Sequence, residues 1–197
     1  MSYAIIGLGK IGTAIARAFA DQTIEVMVAG RRPLDALAAQ IGPSLVPRRI
    51  EDAVKADVII LAVPFDAHRD VGRAAEDWQG KTVIDATNAF GVPPQELDGL
   101  PSSAVVAKAF PGAKVVKAFN HLPAATLAQG PKTPHGGRRV VFISSDDDAA
   151  STSVATLVDQ LGFAPVELGK IGEGGLLVQA RGNRWAHLIF QDLARFD

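Results

Sequence analysis

Gly7, Gly9 and Gly12 are spaced as G-x-G-x-x-G within the run Gly7-Leu8-Gly9-Lys10-Ile11-Gly12. A short apolar run at 3–7 leads into them, and Ile11, Ala14, Ile15, Ala18 and Phe19 recur behind them at helical spacing. A glycine turn set between a strand and a helix in this way is an anion cradle. Gly7 permits the tight turn, Gly9 bares the backbone to a pyrophosphate, and Gly12 lets helix and strand pack closely. Unpaired N–H groups and the helix dipole supply the attraction. The expected ligand is a dinucleotide, held along Leu8, Lys10 and Ile11 as well as the glycines.

A binder of an unphosphorylated ribose carries Asp or Glu about 20 residues further on, at the end of the second strand. Here that point reads Ala29-Gly30-Arg31-Arg32, and Glu25 lies at the strand's beginning, out of reach of the ribose. A 2′-phosphate carries about −1.5 to −2 charge, and a guanidinium offers it a planar fork of donors. Gly30, Arg31 and Arg32 therefore point to NADP(H) over NAD(H).

The elements that must position these residues alternate in period. A β-rich run at 24–29 closes at Gly30. Pro33 suits the first position of a helix with the stripe Leu34, Leu37, Ala38 and Ile41, and Gly42 suits its C-terminal cap. Residues 45–46 predict a strand and 50–56 a short helix. The nearly continuous apolar run 57–63, stopped by Pro64, fits a strand covered on both faces. Residues 65–78 predict a helix, 81–86 a strand, 103–109 a helix and 113–118 a strand. After a loop at 129–138 come a strand at 139–144, a helix capped by Ser145 and Asp148, and a strand at 164–168. A turn at 172–175 follows, then a terminal helix at 185–196 with Trp185, Leu188, Ile189, Leu193 and Phe196 on one face.

This alternation predicts an α/β fold, a doubly wound, mainly parallel sheet with helices on both faces and ligands at the carboxyl ends of its strands. Residues 1–197 are expected to form a single dinucleotide-binding domain, with 139–197 as a C-terminal extension of two strands and helices.

Composition narrows the chemistry. The 197 residues carry 20 basic and 21 acidic side chains and no cysteine. Near-neutral charge argues against nucleic acid or an anionic membrane as partner. Without cysteine there is no disulfide, thiolate nucleophile or Cys-held metal. The longest apolar run, 58–65, is far short of the ~18–20 residues of a membrane span, and a cytoplasmic location is expected. Tyr3, the one tyrosine, lies in the first strand, which removes a Tyr-x-x-x-Lys proton donor. His68, His121, His135 and His187 show no metal-ligand spacing. A dinucleotide domain of ~150 residues leaves little chain for a substrate domain. Either a second subunit closes the site, or a flat partner lies on the nicotinamide. Hydride exchange between stacked rings needs orientation and exclusion of water more than a protein acid or base.

Further motifs are Ala62-Val63-Pro64-Phe65, Asp85-Ala86-Thr87-Asn88, Val115-Val116-Lys117-Ala118-Phe119-Asn120, Pro123-Ala124 and Asp146-Asp147-Asp148. In this order, with the glycine and arginine turns, they resemble the NADPH-dependent reductases of the deazaflavin coenzyme F-420, over nearly the whole chain. Those reductases are similar to the cytoplasmic domains of the metalloreductases. The resemblance implies that Val63 and Pro64 border the cofactor's path and that Thr87 and Asn88 line its nicotinamide end. It also implies that Ala118, Phe119 and Asn120 form the floor where two rings meet. No catalytic residue is assigned beyond Asn120 and His121 as candidates there, and His121 either contacts an acidic cofactor or faces solvent. The chain departs from the pattern at Asn120-His121, where the F-420 reductases tend to carry His-Thr and the metalloreductase domains Asn-Thr. The implied activity is that of an oxidoreductase moving hydride between NADP(H) and a second redox cofactor, coenzyme F-420 or a flavin. Two alternatives stay open: an NADPH-dependent reductase of a small carbonyl or imine acting as a homodimer, and a non-catalytic NADP sensor or partner module.

Overall fold

The first strand, β1 (Tyr3–Ile6), lies inside a sheet, with β2 (Val26–Ala29) and β3 (Leu45–Pro47) on one side. On the other side follow β4 (Val58–Leu61), β5 (Thr82–Asp85), β6 (Lys114–Ala118), β7 (Arg138–Ser145) and β8 (Ala164–Glu167). The computed structural model describes residues 1–180 and 192–196. The strands from β3 to β6 are parallel; β7 runs antiparallel to β6, and β8 parallel to β7. The strand order reverses on either side of β1, and that reversal opens a crevice at the carboxyl edge. This is the doubly wound, mainly parallel architecture expected from the alternating periods.

Both faces of the sheet are covered, so its central strands are apolar at successive positions. Along β4, Val58 and Ile60 pack on one side with Ile15 and Phe19 of α1 (Lys10–Asp21) and Val154 of α7 (Asp148–Gln160). Ile59 and Leu61 pack on the other with Ala53 of α3 (Ile50–Ala53), Val71 of α4 (His68–Gly72) and Val106 of α5 (Ser102–Ala107). Two short helices complete the first layer, α2 (Asp35–Ile41) and α6 (Ala124–Leu127), the latter in a stretch for which the sequence suggested no element.

Several expectations are corrected. Helix α2 starts at Asp35, so Pro33 precedes it rather than opening it, while Gly42 is its C-cap. The helix expected over 65–78 is only a 3-10 turn, Phe65–Ala67, followed by the short α4. Trp78 is buried instead as an anchor, donating Nε1–H to the Gly72 carbonyl at 2.9 Å and meeting Phe110 edge-on at 4.7 Å. Helix α7 is capped by Asp147, whose carboxylate accepts from the Ala150 N–H at 2.8 Å. Ser145 instead donates to the Val115 carbonyl at 2.8 Å, which fastens β7 to β6.

The turn expected at 172–175 leads into a helical turn, α8 (Gly174–Leu177). Of the terminal helix, Trp185, Leu188 and Ile189 lie outside the described residues. Residues 192–196 are not helical: Ala194–Arg195 forms β9, antiparallel to the start of β7, and makes a third strand beyond residue 139. The fully buried guanidinium of Arg139 holds that tail through Asp192 at 2.6 and 2.9 Å. A buried ion pair and strand pairing outweigh a helical stripe whose Leu193 and Phe196 stay exposed. Among the described residues no helix is long and apolar enough to cross a membrane.

Candidate functional site

The glycine turn joins β1 to α1 at the strand-order reversal, and each glycine there does a different job. Gly7 has φ of 96°, a left-handed conformation, and a Cβ on it would lie 2.6 Å from the Ala62 carbonyl oxygen. A Cβ on Gly12 would overlap the carbonyl oxygen of Gly7. These two glycines are required by packing. Gly9 differs, because a Cβ there would meet nothing within 4 Å. The fold leaves Gly9 bare without needing it bare, and its open face is where an anion would approach. Gly9 also N-caps α1 with no side-chain hydrogen bond, and the first turn carries no acid, so the leading amides of a 12-residue helix face that space uncapped. These features fit a dinucleotide pyrophosphate, with Leu8, Lys10 and Ile11 in the same turn.

Beside this cradle β2 ends at Ala29 and passes into Gly30, Arg31 and Arg32. Both guanidiniums are exposed, and neither has a hydrogen bond or ion pair with a described residue. No carboxylate occupies the strand's end. Val63 is half-buried at the end of β4, its Cγ1 3.0 Å from where a Gly7 Cβ would stand, and Pro64 is exposed beyond it. Cradle, arginines and the Val63-Pro64 turn thus share the carboxyl edge of the sheet.

The ends of β5 and β6 carry a different construction. Asp85 and Lys117 are cross-strand partners, both fully buried, with Nζ 3.3 Å from Oδ2. Ser103 donates to Oδ2 at 2.6 Å, and Thr87 donates its hydroxyl and backbone N–H to Oδ1 at 2.6 and 2.9 Å. Lys117 completes its shell with Ser103 Oγ at 3.1 Å, the Thr87 carbonyl at 3.4 Å and Ser102 Oγ at 3.5 Å. Burial by itself would raise the Asp85 pKa; the Lys117 ammonium and the Ser103 and Thr87 hydrogen bonds outweigh it and hold the carboxyl below the usual range. The Thr87 side chain is spent on this network, so Thr87 shapes the turn and Asn88, half-buried, is the residue the turn presents.

Asn88 is clamped in turn. Its Nδ2 donates to the Asn120 carbonyl at 2.8 Å, while Asn120 Nδ2 donates to Asn88 Oδ1 at 3.1 Å and to the Val178 carbonyl at 2.7 Å. Phe119 makes this geometry possible by adopting φ of 59°, a left-handed conformation rare for an aromatic residue, which costs about 1–3 kcal/mol. Its ring is buried against Phe163 at 6.0 Å, and Ala118 is equally buried, so both contribute the backbone turn rather than a side-chain surface.

His121 is buried with its ring on Phe142 at 4.9 Å, so it does not face solvent. Neither ring nitrogen meets full hydrogen-bond geometry with a described residue. Burial lowers its pKa to about 4, and the nearby Val140 backbone and Asp192 charge offset that only in part, so the imidazole is neutral. Sequence motifs alone give Asp85 and Lys117 no role, although an acid after Val83-Ile84 and a lysine after Val115-Val116, each following an apolar pair, were a signal that they meet.

Residues 2–89 match the family model described as NADP oxidoreductase, coenzyme F420-dependent. Metalloreductase STEAP3 of Rattus norvegicus is 30% identical over an alignment of 173 residues that covers 85% of this chain and 33% of that protein. The chain thus spans about a third of the length of the curated relatives it matches. A hypothetical protein of Sinorhizobium meliloti has the same fold along the chain, with 40% identity, a TM-score of 0.90, and 100% of this chain and 96% of that one covered. A proposed F420-dependent NADP reductase from Arthrobacter sp. FB24 aligns at 29% identity and a TM-score of 0.70, covering 87% of this chain and 86% of that one. Motif order and these matches converge on one family: over residues 2–89 the chain is similar to the coenzyme F420-dependent NADP oxidoreductases.

Proposed function

We propose that this protein binds NADP(H) and moves hydride between it and a planar organic redox partner, a deazaflavin such as coenzyme F-420 or a flavin. The observation that carries the cofactor choice is the free arginine pair at the end of β2, next to an uncapped helix N-terminus and in place of a ribose-binding acid. Gly9 and the first amides of α1 would hold the pyrophosphate, and Arg31 and Arg32 the 2′-phosphate. Hydrogen bonds to a charged group contribute roughly 1.5–3 kcal/mol each, enough to set a preference for the phosphorylated ribose.

Bound NADPH supplies a hydride from its nicotinamide ring. The chain's own part is orientation. Val63 and Pro64 border the path between the cofactor's halves. The Asp85–Lys117 network fixes the Thr87-Asn88 turn, and Asn120 locks that turn to the end of β6 and to Val178. Among the described residues, the titratable groups nearest the ring end, Asp85, Lys117 and His121, are buried, and none of these three is placed to relay a proton. That suits hydride transfer between rings, for which alignment and exclusion of water suffice.

The test mixes pure protein with NADPH and, separately, coenzyme F-420, FMN and ferric chelates, and follows loss of the reduced nicotinamide. Turnover with a deazaflavin or flavin is expected. Silence with all of them, despite NADPH binding, overturns the proposal in favour of a sensor.

A further inference from the structure

A cavity of about 470 Å³ opens between α4 and α5, and hydride transfer as proposed above makes no use of it. The two segments touch at Gly72, where a Cβ would overlap the Ala109 carbonyl oxygen. Buried Gly72 and Val105, with half-buried Ala109, give the cavity an apolar lining. The 3-10 turn Pro94–Leu97 and the residue after it add Glu96 and Asp98 to the wall. The volume falls in the range of small-molecule sites.

Most charges around this cavity already have a partner. Arg73 meets Asp70 at 2.9 Å, and Lys108 stands 4.0 Å from Asp98. Two do not. Among the described residues, the side chains of Arg69 and Glu96 make no hydrogen bond or ion pair, and they do not meet each other although both line the cavity. Opposite unmatched charges thus stand apart across one space. A bare anion drawn to Arg69 would face Glu96, and a bare cation drawn to Glu96 would face Arg69, so like-charge repulsion disfavours either alone.

His68 adds a buried polar group to the same wall. Its Nδ1 is hydrogen-bonded to the Phe65 carbonyl, and its ring leans on the Phe65 ring at 5.1 Å. A carbonyl only accepts, so Nδ1 carries the proton and Nε2 of the neutral ring is an acceptor. That nitrogen has no partner among the described residues. A ligand donor would satisfy it.

We infer that the cavity between α4 and α5 binds a small zwitterion. Its carboxylate meets Arg69, its ammonium meets Glu96 and His68 Nε2, and a short apolar chain lies over Val105 and Ala109. Exposed charges hold a ligand weakly one at a time, so recognition depends on both signs being answered together.

The test is isothermal titration of the whole chain, without NADPH or acceptor, using leucine and ε-aminocaproate. Their two charges stand close together in the first and far apart in the second. At least one is expected to bind about tenfold or more tighter than both of its singly charged counterparts. These are isocaproate and isoamylamine for leucine, and caproate and hexylamine for ε-aminocaproate. Arg69 and Glu96 are exposed, so Arg69→Gln and Glu96→Gln should both fold. Arg69→Gln should raise the zwitterion's Kd to that of the amine and leave the amine's own Kd within about twofold; Glu96→Gln should do the same relative to the carboxylate. Zwitterions that bind no tighter than their singly charged counterparts overturn the inference, as does no binding up to about 10 mM. So do folded variants with an unchanged zwitterion Kd, variants that weaken all the ligands alike, and inorganic phosphate binding tighter than either zwitterion. With no nicotinamide in the cell, none of these outcomes touches the hydride-transfer reading.

Discussion

The two ends of the crevice are built on opposite principles. The β1 and β2 end is made of backbone and open space: a glycine no neighbour crowds, uncapped helix amides, and two exposed arginines without partners among the described residues. At the β5 and β6 end every charge is internal. Asp85 and Lys117 neutralise each other out of water, two serines and a threonine fill their remaining hydrogen bonds, and a pair of asparagines locks the turn above. The contrast matches what each end would receive. A polyanion brings counter-charge with it, so its receptor can leave cations free. A neutral ring brings none, so charge at its end has to be satisfied by the protein in advance.

The largest effects come from breaking the glycine turn, where two kinds of glycine can be separated. Gly12→Val drives a side chain into the Gly7 carbonyl, and both NADPH binding and the fold should fail, with a stability loss beyond about 4 kcal/mol in denaturant melts. Gly9→Val places its side chain in open space, so the melt should be unchanged while the NADPH Kd rises about tenfold or more. Equal loss of stability in both would show that the turn serves packing alone.

The buried network is next. Lys117→Met strands the Asp85 carboxylate and should cost about 3–5 kcal/mol, whereas Lys117→Met combined with Asp85→Leu should recover most of it. Arg31→Met, at the exposed end, should leave the same melt untouched. If the single and double variants at Lys117 melted alike, Asp85 would not be the charge that Lys117 satisfies.

His121 sharpens the comparison through pH. Its folded pKa of about 4 lies below the ordinary value of 6.5, so between those limits the unfolded chain binds more protons. Stability should therefore fall as pH drops from about 6.5 to about 4, by roughly 3 kcal/mol. His121→Phe should flatten that slope, as read from unfolding free energies against pH. A slope that survives the substitution assigns it to carboxylates elsewhere.

The smallest effect is on cofactor choice. Arg31→Ala should shrink the ratio of NADH to NADPH dissociation constants about tenfold, and adding Arg32→Ala should shrink it further, without changing stability. An unchanged ratio would leave the arginine pair as solvated surface charge.

Much of this was readable in the chain because local rules and the fold agree. The glycine spacing between an apolar run and a helical stripe located the glycine turn, and Arg31 and Arg32, just past Ala29, located the end proposed for the 2′-phosphate. The ring end was read less well. Thr87 and Phe119 stand in turns at the ends of β5 and β6, yet the Thr87 hydroxyl is spent on Asp85 and the Phe119 ring faces Phe163. Over 192–196 the helical spacing misled, because pairing with β7 and the Asp192–Arg139 bridge are contacts between residues about 50 apart, which no local period encodes.

By itself, then, the sequence determined the architecture and the anion cradle, since periodicity, glycine spacing and the missing acid are properties of neighbouring residues. The tertiary structure alone decided how the other end works. It set Asp85 beside Lys117 from strands 32 residues apart, turned the chain at Phe119, and buried His121 until it lost its charge. Those outcomes depend on which side chains become neighbours out of water, where the strength of a charge or a hydrogen bond is set by burial and partners rather than by residue type.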